Sequence, residues 1–396
     1  MPRLASLTSQ ALTGIGRGLI AQLTYILADI FPAQNIISTT ITQWAPIRKS
    51  DIALQGNIIH VLLRRGNSSN LAEIRSFVRN IDNSLSFLTN SSTITLANTT
   101  SSSRVNASLI WDPVSSQLII LQIGASGGTT GMRYTYVNWD GISYTTGTTG
   151  TITSPTISGS IFGNSNSSAI HALWDSNRSR ITVVAVAGAR ATIATFTNNG
   201  SSLSASNFIN ANTSFASSSL SNFEHPNLVQ LANGSFLVLY GYNSVQGIIA
   251  NVNVLGSMSW GTAVDLNTGV YDVAASADAN EFIITDLFNS TSVGRRFTFL
   301  GTTITSQASA NIRTGGSHTA SIVYDTDTSQ YVATTSADGI DAYHTWDGST
   351  WTEQSTVNRG AVIINNPNLV STDTGIFRFG NASGQISYSV VAKVTI

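Results

Sequence analysis

From about residue 52 onward, apolar residues come in runs of four to eight, many alternating with polar ones, and polar punctuation separates the runs. That is the pattern of short half-buried strands. It is clearest over residues 318–357, HTASIVYDTDTSQYVATTSADGIDAYHTWDGSTWTEQSTV, which reads as four strands and three turns. Related cassettes follow one another along the chain. Their first corners fall at Asp112-Pro113, Asp175-Ser176-Asn177, Asn233-Gly234, Asp278-Ala279-Asn280, Asp325-Thr326-Asp327 and Asp373-Thr374-Gly375. Asn and Asp tolerate left-handed backbone and bond their own chain, so these positions predict hairpins. A second corner recurs at Gly141, Gly200, Gly256, Gly301 and Gly348, in steps of 59, 56, 45 and 47 residues.

A repeated four-stranded unit of ~40–50 residues is the signature of a β-propeller. Counting cassettes predicts seven blades, whose first strands begin near Asp51, Ala107, Ile170, Asn227, Asp272, His318 and Asn368. The first cassette diverges most, which leaves six blades plus an adaptor hairpin as the alternative count. The seventh cassette supplies only three strands, through QISYSVVAKVTI. The missing outer strand is expected from the other end of the chain, in residues 36–44. There Ile37 to Gln43 (ISTTITQ) resembles the fourth strand at Thr302 to Gln307. The predicted fold is thus an all-β, seven-bladed propeller of four-stranded antiparallel blades over residues 36–396, its ring closed by an N-terminal strand so that no sheet edge stays open.

Composition supports this reading. Charged residues are 10% of the 396, against ~25% in an average soluble protein, and hydrophobic residues are 42%. A chain this long exceeds the usual single core of about 250–300 residues, a limit that radial repetition of small cores evades. The net charge is −1 and the only lysines are Lys49 and Lys393, so no basic stripe is available for nucleic acid. No apolar run reaches the ~18 residues of a membrane span. The opening residues lack the continuous apolar core of a secretory signal. Sequons such as Asn67, Asn106, Asn212, Asn233 and Asn289 are then read as chance matches in an Asn/Ser/Thr-rich chain. With no cysteine, disulfide and thiolate chemistry are absent.

Residues 1–35 have a different pattern. Leu12, Ile15, Leu19, Ile20, Leu23, Ile26, Leu27 and Ile30 approximate helical spacing, interrupted by Gly14, Gly16 and Gly18. Two readings follow: the segment packs under its own ring, or it is a docking arm that joins a larger assembly, with Leu12, Ile15, Leu19, Ile20 and Leu23 as its apolar contacts. The opening MPRLASLTSQALTGIGR resembles the N-terminal segments of structural proteins of tailed bacteriophages, particularly phages of aquatic bacteria and cyanobacteria. That resemblance implies a virion protein assembled in the host cytoplasm, with other tail, fibre or baseplate proteins as partners and a symmetric homo-oligomeric state. Propellers occur in that setting in tail-tube nozzle proteins, which carry platform domains besides, and in baseplate and fibre components. Placement on the capsid surface as a decoration protein is the alternative within the same class.

Candidate chemistry is sparse. The sequence Thr345-Trp346-Asp347-Gly348-Ser349-Thr350-Trp351 departs from the sialidase Asp-box in having Gly directly after Asp and no leading Ser, and Trp139-Asp140-Gly141 repeats it. Both are read as Asp-Gly turns. The glutamates Glu73, Glu224, Glu281 and Glu353 show no pair spacing for glycoside cleavage. The corner residues Asp112, Asp175 and Asp325 recur as turn formers do. His60, His171, His225, His318 and His344 are dispersed, without metal-ligand spacing, and are expected to be hydrogen-bonded packing residues. Asp325 to Ser336 lacks the Gly and Glu of a calcium loop. No catalytic residue, metal or cofactor is expected, and the chain is read as non-enzymatic. The alternative activity is a carbohydrate-binding or glycoside-cleaving propeller. In it, Trp139, Tyr144, Trp346 and Trp351, beside corners on one rim, would stack on a host-surface glycan. Against that stands the expectation that these rings pack between blades.

Overall fold

The computed structural model describes residues 34–35, 47–64, 71–80, 85–88, 93–95, 107–126, 129–152, 168–187, 190–210, 227–241, 245–252, 257–266, 270–288, 291–314, 319–337, 340–358, 365–373, 375–382 and 385–392. Among these residues there is no α-helix, and the strands form a β-propeller of antiparallel, essentially four-stranded blades. Six blades are each drawn from one contiguous stretch of chain: blade 1 from residues 52–88, blade 2 from 107–152, blade 3 from 168–210, blade 4 from 227–260, blade 5 from 270–313 and blade 6 from 319–358. Two short strands sit outside this plan, Thr93–Thr95 beside Leu71–Arg79 of blade 1 and Val264–Asp265 beside Val245–Val252 of blade 4.

The count of seven like cassettes is corrected to six contiguous blades. The remaining strands, Asn365–Ser371, Gly375–Ala382 and Gln385–Ala392, make a terminal sheet whose fourth row is Gln34–Asn35, paired as Gln34 with Tyr388 and Asn35 with Ser387. The physical reason is the edge of Gln385–Ala392, whose main-chain groups are met in part from the N-terminal side of the chain. Residues 36–44, expected in that row, and the arm residues Leu12, Ile15, Leu19, Ile20 and Leu23 lie outside the described residues. The divergent first cassette is a full blade, which answers the adaptor-hairpin alternative.

The turns explain why these sequences fold as hairpins. At the first corners Asp112 Oδ1 accepts the Val114 N–H at 2.9 Å and Asp175 Oδ1 the Asn177 N–H at 3.1 Å. The serine four residues on closes each turn in left-handed backbone, with φ of 56° at Ser116, 50° at Ser179 and 52° at Ser329. At the second corners the predicted glycines Gly141, Gly200, Gly301 and Gly348 all have positive φ, the geometry that a side chain resists. Gly256 lies outside the described residues.

Between the corners, β-branched runs such as RITVVAVA (Arg180–Ala187) make continuous middle strands, buried on both faces from Ile181 to Ala185. Each blade therefore packs on the next. Leu62 and Ile74 of blade 1 meet Leu109 and Ile120 of blade 2, while Val184 and Ile193 of blade 3 meet Phe236 and Val238 of blade 4. Phe282 and Phe297 of blade 5 stack at 5.1 Å within the core shared with blade 4. Fully burying each such side chain contributes roughly 1.5–3 kcal/mol. First strands of successive blades lie against one another, which makes them the innermost row.

Candidate functional site

The first strands carry a recurring polar position: Ser108, His171 and Ser321, each four residues before its corner aspartate, and Asn227, Asp272 and Asn368, which stand six, six and five residues before Asn233, Asp278 and Asp373. A main-chain N–H near the axis has no strand partner on its inner side, so a polar side chain from the neighbouring blade meets it. Ser108 Oγ accepts the Ala172 N–H at 3.1 Å, and His171 Nδ1 accepts the Leu228 N–H at 3.2 Å. Asp272 Oδ2 accepts the Ile322 N–H at 2.9 Å, and Ser321 Oγ accepts the Leu369 N–H at 3.2 Å. Each bond crosses from one blade to the next, so these side chains form two arcs of a belt along the inner strands, one over blades 2, 3 and 4 and one over blades 5, 6 and the terminal sheet. Every link is worth roughly 0.5–1.5 kcal/mol net, and removing one orphans a buried N–H.

The belt encloses a plug. Residues 47–51 precede blade 1 and turn tightly, the Asp51 N–H reaching the Arg48 carbonyl at 2.9 Å and the Arg48 N–H reaching Asp51 Oδ2 at 2.9 Å. Ile47, Ser50 and Asp51 are buried. The Ile47 carbonyl accepts from Asn368 Nδ2 of the terminal sheet, and the Ser50 carbonyl accepts from Ser108 Oγ of blade 2 at 3.0 Å. Lys49 reaches to blades 5 and 6. Its Nζ donates to the Val273 carbonyl at 3.1 Å and the Ile322 carbonyl at 2.5 Å, and pairs with Asp272 Oδ1 at 2.8 Å. Five residues thus contact blades on different sides of the ring. Sequence reasoning missed this site. Its signal was present in the polar residues that recur four to six places before the corners from Asp112 onward and in one of the chain's two lysines.

The four aromatic residues proposed as a glycan-stacking rim are built into the blade interfaces. Tyr144 is 4% exposed and Trp346 7%, while Trp139 and Trp351 are partly buried against the same cores. Trp139 packs on Tyr144 with ring centroids 4.4 Å apart, and Trp346 on Trp351 at 5.3 Å. Trp351 lies on the backbone of blade 5 so closely that a Cβ at Gly294 would stand 2.4 Å from its Nε1. Rings flanking a corner are drawn into the groove between blades because their apolar area exceeds any other side chain's there.

The histidines described are packing residues. His60 is fully buried, with Nδ1 at 2.5 Å from Ser76 Oγ and 2.8 Å from Tyr144 Oη, and Nε2 at 2.9 Å from Gln55 Oε1. A serine beside a histidine suggests a nucleophile, but Ser76 is itself 0% exposed, and an amide rather than a carboxylate faces the other ring nitrogen. Burial lowers the His60 pKa to about 3 and raises that of the Tyr144 phenol. The ring is therefore neutral at pH 7 and links blade 1 to blade 2. His344 sits buried against Thr335 at 3.2 Å, and His225 and His318 lie outside the described residues.

The corner aspartates likewise bind neighbouring blades. Asp175 Oδ1 accepts from Gln230 Nε2 at 2.7 Å, Asp112 Oδ2 from Asn198 Nδ2 at 2.6 Å and Asp325 Oδ1 from Ser371 Oγ at 2.8 Å. At the Asp-Gly corner, Asp347 takes the Ser349 and Thr350 N–H groups at 2.8 and 2.7 Å together with both hydroxyls, which holds its carboxyl well below the usual range. That is how a turn is capped. Among the described residues no three His, Asp or Glu side chains gather as a metal site.

Comparison with known proteins gives a fold without a family. No family model matches the chain, and no curated protein matches it. Among solved structures, a chain of a mitotic checkpoint complex aligns over 100% of this chain and 99% of its own, with 12% identity and a TM-score of 0.51. The WD40 domain of a Toxoplasma gondii coronin aligns over 91% and 89%, with 12% identity and a TM-score of 0.50. The polysaccharide lyase Uly1 aligns over 94% of both chains, with 8% identity and a TM-score of 0.49. WD40 domains are four-stranded-blade propellers, so at these identities the likeness is one of architecture: the chain has a β-propeller fold.

Proposed function

We propose that this chain is a non-enzymatic connector of a tailed-phage virion, in the tail, fibre or baseplate apparatus, in which the propeller anchors an N-terminal docking arm. The observation that carries the reading is the plug. Because residues 47–51 are tied at once to blades 2, 5 and 6 and to the terminal sheet, a pull on the preceding segment is shared across the ring rather than unzipping one blade. Supporting it, the opening MPRLASLTSQALTGIGR resembles phage structural proteins, and the polar groups near the axis are engaged in holding blades together. Partners are then other virion proteins, met through the arm in a symmetric assembly.

The same reading takes the terminal sheet as a seventh, ring-closing blade. Phe377, Phe379 and Tyr388 share a core with Val61 and Phe77 of blade 1, and Leu369 and Ile376 share one with Val332 and Tyr343 of blade 6, so the sheet is clasped on both sides. The deciding experiment is electron microscopy of purified particles, with the isolated protein's mass and oligomeric state as controls. Ring-shaped density at the tail, joined to its neighbours through the N-terminal segment, is the expected result. Density on the capsid surface would move the protein to decoration, and absence from particles would overturn the virion reading.

A further inference from the structure

Lys49 is one of two lysines in a chain whose lysines and arginines total 19. Its ammonium group sits in a cradle of three oxygens: Asp272 Oδ1 at 2.8 Å, the Val273 carbonyl at 3.1 Å and the Ile322 carbonyl at 2.5 Å. The carboxylate is itself held rigidly. Asp272 is 5% exposed, its Oδ1 also accepts the Val273 N–H at 2.8 Å, and its Oδ2 takes Ser321 Oγ at 2.6 Å and the Ile322 N–H at 2.9 Å. Two main-chain carbonyls and one carboxylate converging from two blades make a donor set for a compact monovalent cation, one that a planar guanidinium does not match. We propose that this cradle is a monovalent-cation site at the propeller axis, that the Lys49 ammonium is its built-in occupant, and that a potassium or ammonium ion takes the same place when the lysine head is removed. The buried carboxylate demands it: without a positive charge there, Asp272 remains an unpaired anion joining blades 5 and 6. The cradle is thus a latch, and the plug stays seated because its own lysine satisfies the site.

The test is the thermal unfolding of full-length Lys49→Ala in potassium, ammonium, methylammonium and choline chlorides at matched ionic strength. The expected result is a melting temperature that rises with potassium, ammonium or methylammonium concentration, by about 2 °C near tenfold the dissociation constant, and does not rise with choline, which is too large for the space. The wild type should show no such selectivity, and Lys49→Ala/Asp272→Asn should lose it. Equal stability in all four salts, failure to fold in any of them, or selectivity that survives Asp272→Asn would each overturn the proposal.

Discussion

Arg378 and Asp341 are both 0% exposed and form an ion pair between the terminal sheet and blade 6, Nη1 to Oδ2. Among the described residues Arg378 Nε and Nη2 have no hydrogen-bond partner, so Asp341 is the principal compensation for a fully buried guanidinium. Two unit charges ~4 Å apart attract by about 4 kcal/mol at an effective dielectric of about 20, against a desolvation penalty of several kcal/mol per ion. The pair is close to break-even as a whole and expensive to halve. Asp341→Ala should therefore cost about 3–5 kcal/mol, because arginine keeps its charge. Arg378→Met should cost less, since the abandoned carboxyl can take up a proton. The double variant Asp341→Ala/Arg378→Met should be more stable than Asp341→Ala alone, by an amount set by the arginine no longer left bare. The assay is denaturant-induced unfolding of all four proteins near pH 7, read as a double-mutant cycle. Single variants that each cost under ~1 kcal/mol, or strictly additive losses, would refute the claim that this pair clasps the terminal sheet to blade 6.

Three further outcomes are expected. Trp346→Ala should lower stability by about 3–5 kcal/mol, as truncation of a core aromatic does, and a normal melting temperature would refute its place in the core. His60 has a folded pKa lowered to about 3 against an unfolded value near 6.5, so the unfolded chain binds the proton first. Its contribution is complete above pH 6.5 and is lost as pH falls toward 3, at a slope of about 1.4 kcal/mol per unit. His60→Gln should flatten the pH 6.5 to 4.5 limb of the stability curve, and an unchanged limb would contradict the assignment. Deleting residues 1–44 removes the Gln34–Asn35 row and bares the edge of Gln385–Ala392, which should reduce the melting temperature and promote association in analytical ultracentrifugation. Unchanged stability and a clean monomer would show that the row contributes nothing to closure.

What was legible in the chain is what depends on neighbours in sequence. Hairpin corners are local chemistry: an aspartate that caps its own turn at Asp112 or Asp347, and a glycine with positive φ at Gly141 or Gly348, act within four residues. Strand order, the repeat and the all-β class follow from them, because apolar runs between such corners have one way to pair. The sequence by itself also decided the lack of thiol chemistry and of a basic surface stripe. The destinations of the side chains were another matter. Trp139 and Trp346 flank exposed turns, and only the approach of the next blade shows that their rings fill a groove. Lys49 and Asp272 are 223 positions apart, and nothing local marks them as partners. Successive first strands lie against one another, so the residues that meet there are chosen by the packing of whole blades and not by distance along the chain. Tertiary structure alone decided that the axis holds a plug.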